Sequence, residues 1–226
     1  MNMNKQAYEI YAGIKNNFTA KYTKRKDNES IYYTCVRQAY KDLMFRTIKG
    51  HTSKYRETNL KQISEILEKY HDQPTIDLIH KVFKVFEKEF DDCNLDKTQL
   101  FGKSQKVVNM AFKYLCCFNV EMDYSKCHIP LDSRIIDYYV ERRKMYDGIT
   151  SGYVPTWSHI REDEYFEIQN KLKEYYLKDR IDLEPLEAEY IIWAYATIKL
   201  NIKNINKFSQ SEIDAYNLLK LEFNNL

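Results

Sequence analysis

The chain has 226 residues, is 44% hydrophobic and 15% aromatic, and carries a formal net charge of +2. That is enough apolar material for a sizeable core, which excludes wholesale disorder. With Gly 5 and Pro 4 there are too few turn residues for an all-β sandwich or barrel, and no apolar run reaches the ~18 residues of a membrane span.

The opening residues, MNMNKQAYEIYAGIKNNF, lack an apolar segment and a small-residue cleavage site, so no signal peptide is expected there. Residues 1–60 carry 12 Lys+Arg against 5 Asp+Glu, a net of +7, while the remainder has a net of −5. The basic stretch holds Lys24, Arg25 and Lys26, interleaved with aromatics such as Tyr22, Tyr32 and Tyr33. Such a pattern can neutralise phosphates and stack on bases; the ordinary alternative is a solvated helical surface over an aromatic core.

From residue 60 onward helical periodicity dominates. Leu60, Ile63, Ile66, Leu67 and Tyr70 share one face, and Pro74 opens a helix striped by Ile79, Val82, Phe83, Phe86 and Phe90. Residues 91–102 read as a connection, 104–118 as a strong helix, and Pro130 precedes another running from Leu131 or Asp132 to about Met145. Gly148, Gly152 and Pro155 mark the longest loop. Helices are expected over 162–177 and from Pro185 to about Leu200, and Ser211 with Asp214 suggests a cap for a last one. The expectation is an all-α, single domain over 1–226, with two approximate lobes: a basic part over 1–95 and a catalytic-like part over 96–226.

Several chemistries lack their residues. No glycine-rich phosphate loop, HExxH or paired CxxC is present. The five cysteines are odd in number and read as reduced, cytoplasmic thiols. Cys127–His128 near Cys116 and Cys117 is read as buried helix chemistry rather than a metal site, so no metal and no cofactor is expected.

The stretch SQKVVNMAFKYLCCFNVEMDYSKCHIPLDSRIID, residues 104–137, joins a Gln-Lys helix start to an Ile-Pro-Leu-Asp segment. It resembles the catalytic region of the helix-hairpin-helix DNA glycosylase superfamily, most closely the archaeal-type 8-oxoguanine DNA glycosylase/lyases. The resemblance implies a base-excision N-glycosylase with AP-lyase activity, with Lys106 as nucleophile and Asp132 as its carboxylate partner. EPLEAEYIIWAYA, residues 184–196, is similar to the family helix that borders the extruded base, which assigns base binding to Glu189 and Trp193. The family's acid there is typically aspartate, and its Leu-Pro-Gly-hydrophobic-Gly hairpin is reduced here to LDKTQLFGKSQK with Gly102 alone. Lys103 is a rival nucleophile if GKSQKVV is slid to match the Gly-Arg-Lys-Thr of the other branch, and is otherwise assigned with Lys24, Arg25 and Lys26 to the DNA backbone. The implied partner is a damaged DNA duplex with a flipped base, bound by a monomer without a membrane. The alternative is a catalytically silent nucleic-acid binder or defence-system interaction protein on the same fold.

A lysine amine attacking C1′ of the sugar forms a Schiff base, and a nearby carboxylate offsets the positive charge that develops on the ring. Free lysine titrates near 10.4, so the amine must be desolvated or placed beside positive charge; Lys106 is expected at the first turn of its helix, where the helix dipole would help.

Overall fold

The computed structural model describes residues 3–22, 29–43, 53–89 and 95–224. Among these residues the protein is all helical: α1 (Met3–Tyr22), α2 (Ile31–Asp42), α3 (Ser53–Tyr70), α4 (Thr75–Glu89), α5 (Lys97–Cys117), α6 (Ser133–Asp147), α7 (Glu162–Lys178), α8 (Pro185–Leu200) and α9 (Gln210–Asn224), with short 3-10 segments at Tyr124–Lys126 and Ile202–Lys207. No helix among the described residues is long and apolar enough to cross a membrane.

Most helices bury one stripe. In α1 it is Ala7, Ile10, Tyr11 and Ile14; in α4 it is Leu78, Ile79, Val82, Val85 and Phe86. The exception is α5, buried on every side from Leu100 to Cys117 except at Met110, although it contains Lys103, Gln105, Lys106, Asn109 and Lys113. It begins at a capping box in which Asp96 accepts from Gln99 N–H at 2.9 Å and Gln99 answers Asp96 N–H at 3.0 Å. This start lies well before the expected residue 104, so the segment read as a degenerate hairpin is continuous helix. Gly102 serves a close approach there: a Cβ would lie 2.5 Å from the Trp157 carbonyl oxygen. Lys106 is therefore about two and a half turns inside the helix, out of reach of the N-terminal dipole.

The packing crosses the expected division at residue 95. Helix α5 lies against α2 and α4, with α3 completing that group; α8 gathers α6, α9 and α1. The N-terminal helix thus belongs with the C-terminal ones, and α5 with the preceding helices. Proline and capping signals elsewhere match the chain: α4 follows Pro74, and α8 carries Pro185 in its first turn. The last helix is capped by Ser209 and Glu212, whose carboxylate accepts from Ser209 N–H at 2.8 Å, not by Ser211 and Asp214.

Buried polar groups tie the C-terminal group together. Arg142, fully buried, donates from Nε to Asp179 at 2.6 Å and from Nη2 to the Leu219 carbonyl at 3.2 Å, and Tyr138 and Tyr146 also donate to Asp179. Asp179 so joins the end of α7 to α6, and Arg142 carries the link on to α9.

Candidate active site

Two side-chain amides set the segment that leads into α6. Gln105, on α5, accepts from Leu131 N–H at 3.2 Å and donates to the Leu131 carbonyl at 3.1 Å. Gln169, on α7, does the same to Ile129, at 3.1 and 2.7 Å. Each amide pairs with backbone as a neighbouring strand would, so residues 129–131 are held extended between two helices. Asp132 comes next. Its Oδ1 accepts from Arg134 N–H at 2.9 Å and Ile135 N–H at 3.0 Å, making it the N-cap of α6. Both capping bonds end on one carboxylate oxygen.

Lys106 is the next residue after Gln105 on α5. It lines, with Asp132, a cavity of about 510 Å³ that also takes in Glu189 and Trp193 of α8. The four residues assigned to catalysis and base binding therefore surround one space. Lys106 is 8% exposed and its Nζ lies 4.2 Å from the centre of the Trp157 ring. Burial pulls its amine below the ordinary lysine range, helped by Arg134 and opposed by the Asp132 and Asp42 carboxylates. The desolvated environment thus lowers the amine where the helix dipole does not reach.

Glu189 lines the cavity already engaged by a cation. It is 2% exposed and its Oε2 lies 2.5 Å from Lys113 Nζ. Burial raises its carboxyl above the usual range and Lys113 opposes this. Lys113 Nζ also sits 4.6 Å from the Phe18 ring centre and 4.4 Å from that of Tyr190. The pair offers a donor beside an acceptor at the cavity wall. Trp193 is partly buried, with the Arg134 guanidinium 5.7 Å from its ring centre. Arg134 Nε has no hydrogen-bond partner among the described residues.

Lys103 is 3% exposed and is not among the residues around the cavity. Its Nζ lies 5.9 Å from the Trp157 ring centre, enclosed beneath the 148–161 loop. The expectation that it reaches a DNA phosphate is corrected by this burial, and its Nζ and that of Lys106 approach the same Trp157 ring. Lys24, Arg25 and Lys26 lie outside the described residues.

Three participants carry no signal in the sequence. Trp157 lies in the loop that reads as a boundary, Asp42 is one of five acids scattered through the basic stretch, and Arg134 reads as an ordinary first-turn residue; none has a periodic signature. Only the aromatic residue within a Gly- and Pro-marked loop could draw notice. Among the described residues no group of three or more His, Cys, Asp or Glu could hold a metal ion, and Cys35, Cys116, Cys117 and Cys127 are buried and free. No protein-family model matches the chain, and neither the curated proteins nor the solved structures contain a match to it.

Proposed function

We propose that the chain is a monomeric DNA base-excision N-glycosylase with AP-lyase activity, removing an oxidised purine such as 8-oxoguanine. The observation that carries the reading is the opening of a desolvated Lys106 amine and the Asp132 carboxylate onto one cavity with aromatic walls. In this reading the extruded base enters between the aromatic residues and stacks on Trp193. The Lys113–Glu189 pair meets its polar edge, donor to acceptor and acceptor to donor. Lys106 Nζ attacks C1′ as the N9–C1′ bond breaks, and the Asp132 charge offsets the cation forming on the sugar. Arg134 adds positive charge at the cavity rim, and the basic stretch through Lys24, Arg25 and Lys26 supplies backbone contacts.

Borohydride trapping on duplexes carrying 8-oxoguanine and other lesions tests this. Wild type forms a covalent protein–DNA adduct, Lys106→Gln binds without forming one, and Lys103→Gln retains it. Asp132→Asn keeps a cap acceptor but loses about 10²–10³ in rate, the scale of a removed electrostatic stabiliser. No adduct from wild type on any lesion refutes the lyase reading and leaves a silent binder or a water-using glycosylase.

A further inference from the structure

A second carboxylate reaches Lys106 from another part of the chain. Asp42 closes α2 and lines the same cavity as Lys106 and Asp132. Tyr114, on α5, donates to its Oδ2 at 2.7 Å. The charged and titratable groups that act on it are Tyr114, Lys106, Lys113 and Lys41, so two further lysines and a hydroxyl share the acid with the Lys106 amine. Asp132 is committed through one oxygen to two backbone N–H groups, whereas Asp42 is bound by a hydroxyl that can stay with it in either protonation state.

The reaction has a proton to move. Lys106 must lose one to become a nucleophile, and a purine leaving N9 with the bonding pair must gain one. We propose that Asp42 is the catalytic group that carries this proton, an inference that rests on the glycosylase reading. Asp42 takes a proton from the Lys106 ammonium, leaving a neutral amine. Lys106 Nζ then bonds to C1′ as the N9–C1′ bond breaks and its electron pair departs with the purine. Asp42 gives its proton to the purine and is again a carboxylate. The C1′-bound nitrogen passes a proton to O4′ as the C1′–O4′ bond opens, which leaves a protonated Schiff base and a sugar hydroxyl. The balance needs no oxidant or other reactant. Burial raises the Asp42 carboxyl above its ordinary value, against the opposing effects of Tyr114, Lys106, Lys113 and Lys41, and so makes it a better proton carrier than an exposed aspartate.

The proposal separates two substrates. A duplex carrying 8-oxoguanine needs the departing base protonated; the same duplex with a preformed abasic site has no base to release. Asp42→Asn is expected to lower excision by about 10²-fold or more, the range of a general acid–base group, while adduct trapping at the abasic site, where no base is protonated and the Lys106 proton can pass to solvent instead, falls by less than about tenfold. Retained trapping also reports that the cavity has folded. Tyr114→Phe removes the hydrogen bond but leaves the carboxylate, and is expected to keep excision within about tenfold of wild type on the same scale. Equal losses by Asp42→Asn on both duplexes, undiminished excision by Asp42→Asn, or a Tyr114→Phe loss as deep as that of Asp42→Asn overturns the role. A wild type that traps on neither duplex fails the glycosylase reading itself, which is a different result.

Discussion

Replacing Gln105 by leucine tests how Asp132 is held. The substitution nearly preserves volume but removes both bonds to Leu131, at 3.1 and 3.2 Å, and a third from Asn109 Nδ2 at 3.3 Å. Gln105 is fully buried, so no solvent replaces what is lost. An orphaned buried polar group costs about 1–3 kcal/mol, and the Leu131 N–H and carbonyl are both orphaned. After an offset for the added apolar burial, the net cost is about 2–4 kcal/mol. At roughly 2–4 °C per kcal/mol for a chain of this size, the midpoint falls by about 4–16 °C. Gln169→Leu makes the matching change at Ile129, where the bonds are only partly buried and water can substitute, so its cost is under about 2 kcal/mol. Thermal and urea unfolding followed by circular dichroism measure both. A Gln105→Leu midpoint within about 1 °C of wild type, or a larger loss from Gln169→Leu, would refute the clamp.

Gly102→Ala should destabilise by about 1–3 kcal/mol in urea unfolding, because the new Cβ meets the Trp157 carbonyl oxygen at 2.5 Å; helix propensity alone would stabilise by about 1 kcal/mol, so the sign decides. Lys113→Met and Glu189→Leu should each cost about 3–5 kcal/mol by leaving a buried charge without its partner, and the double variant should recover much of that. Additive single losses in the double-mutant cycle would contradict the coupling. His128, beside the Tyr165 hydroxyl at 2.8 Å, is lowered by burial to about 4 from 6.5. Between those values the unfolded chain binds a proton that the folded one refuses, so stability present above pH 6.5 is lost as the pH falls towards 4. The full loss is about 3 kcal/mol, and His128→Gln should remove that part of the pH dependence; identical profiles for the two proteins would contradict it.

Local chemistry explains which elements are legible in the sequence. Pro74, Pro130 and Pro185 precede or open α4, α6 and α8 because proline suits a first turn and no helix interior, and the apolar stripes of α3 and α4 follow from burial of one face. The beginning of α5 is harder to see although Asp96 and Gln99 carry a capping pattern, since the lysines and Gly102 beyond them look solvated. They are enclosed by Trp157, which reaches them across a loop, and long-range enclosure leaves no local mark. The same holds for Asp42: its neighbours on α5 become visible only when α2 lies against it. Lys106, Asp132, Glu189 and Trp193 are named by motif, and their gathering around one cavity belongs to the packing. The motif holds no hint that Glu189 is already engaged by Lys113.

The docking of α1 on α8 and α9 affects the order in which this protein can be assembled. Among the described helices α1 is made before α8 and α9, so the part of its apolar stripe that docks on them stays uncovered until those helices appear, although Tyr11 can meet Cys116 of α5 sooner. Contacts of such long sequence separation slow the search, while α2 to α5 can pack among themselves as they appear. Phe18 and Tyr22, near the end of α1, also form part of the cavity wall. The side of the cavity that Phe18 and Tyr22 close therefore depends on contacts between distant parts of the chain, and a state with α1 undocked would leave that side open.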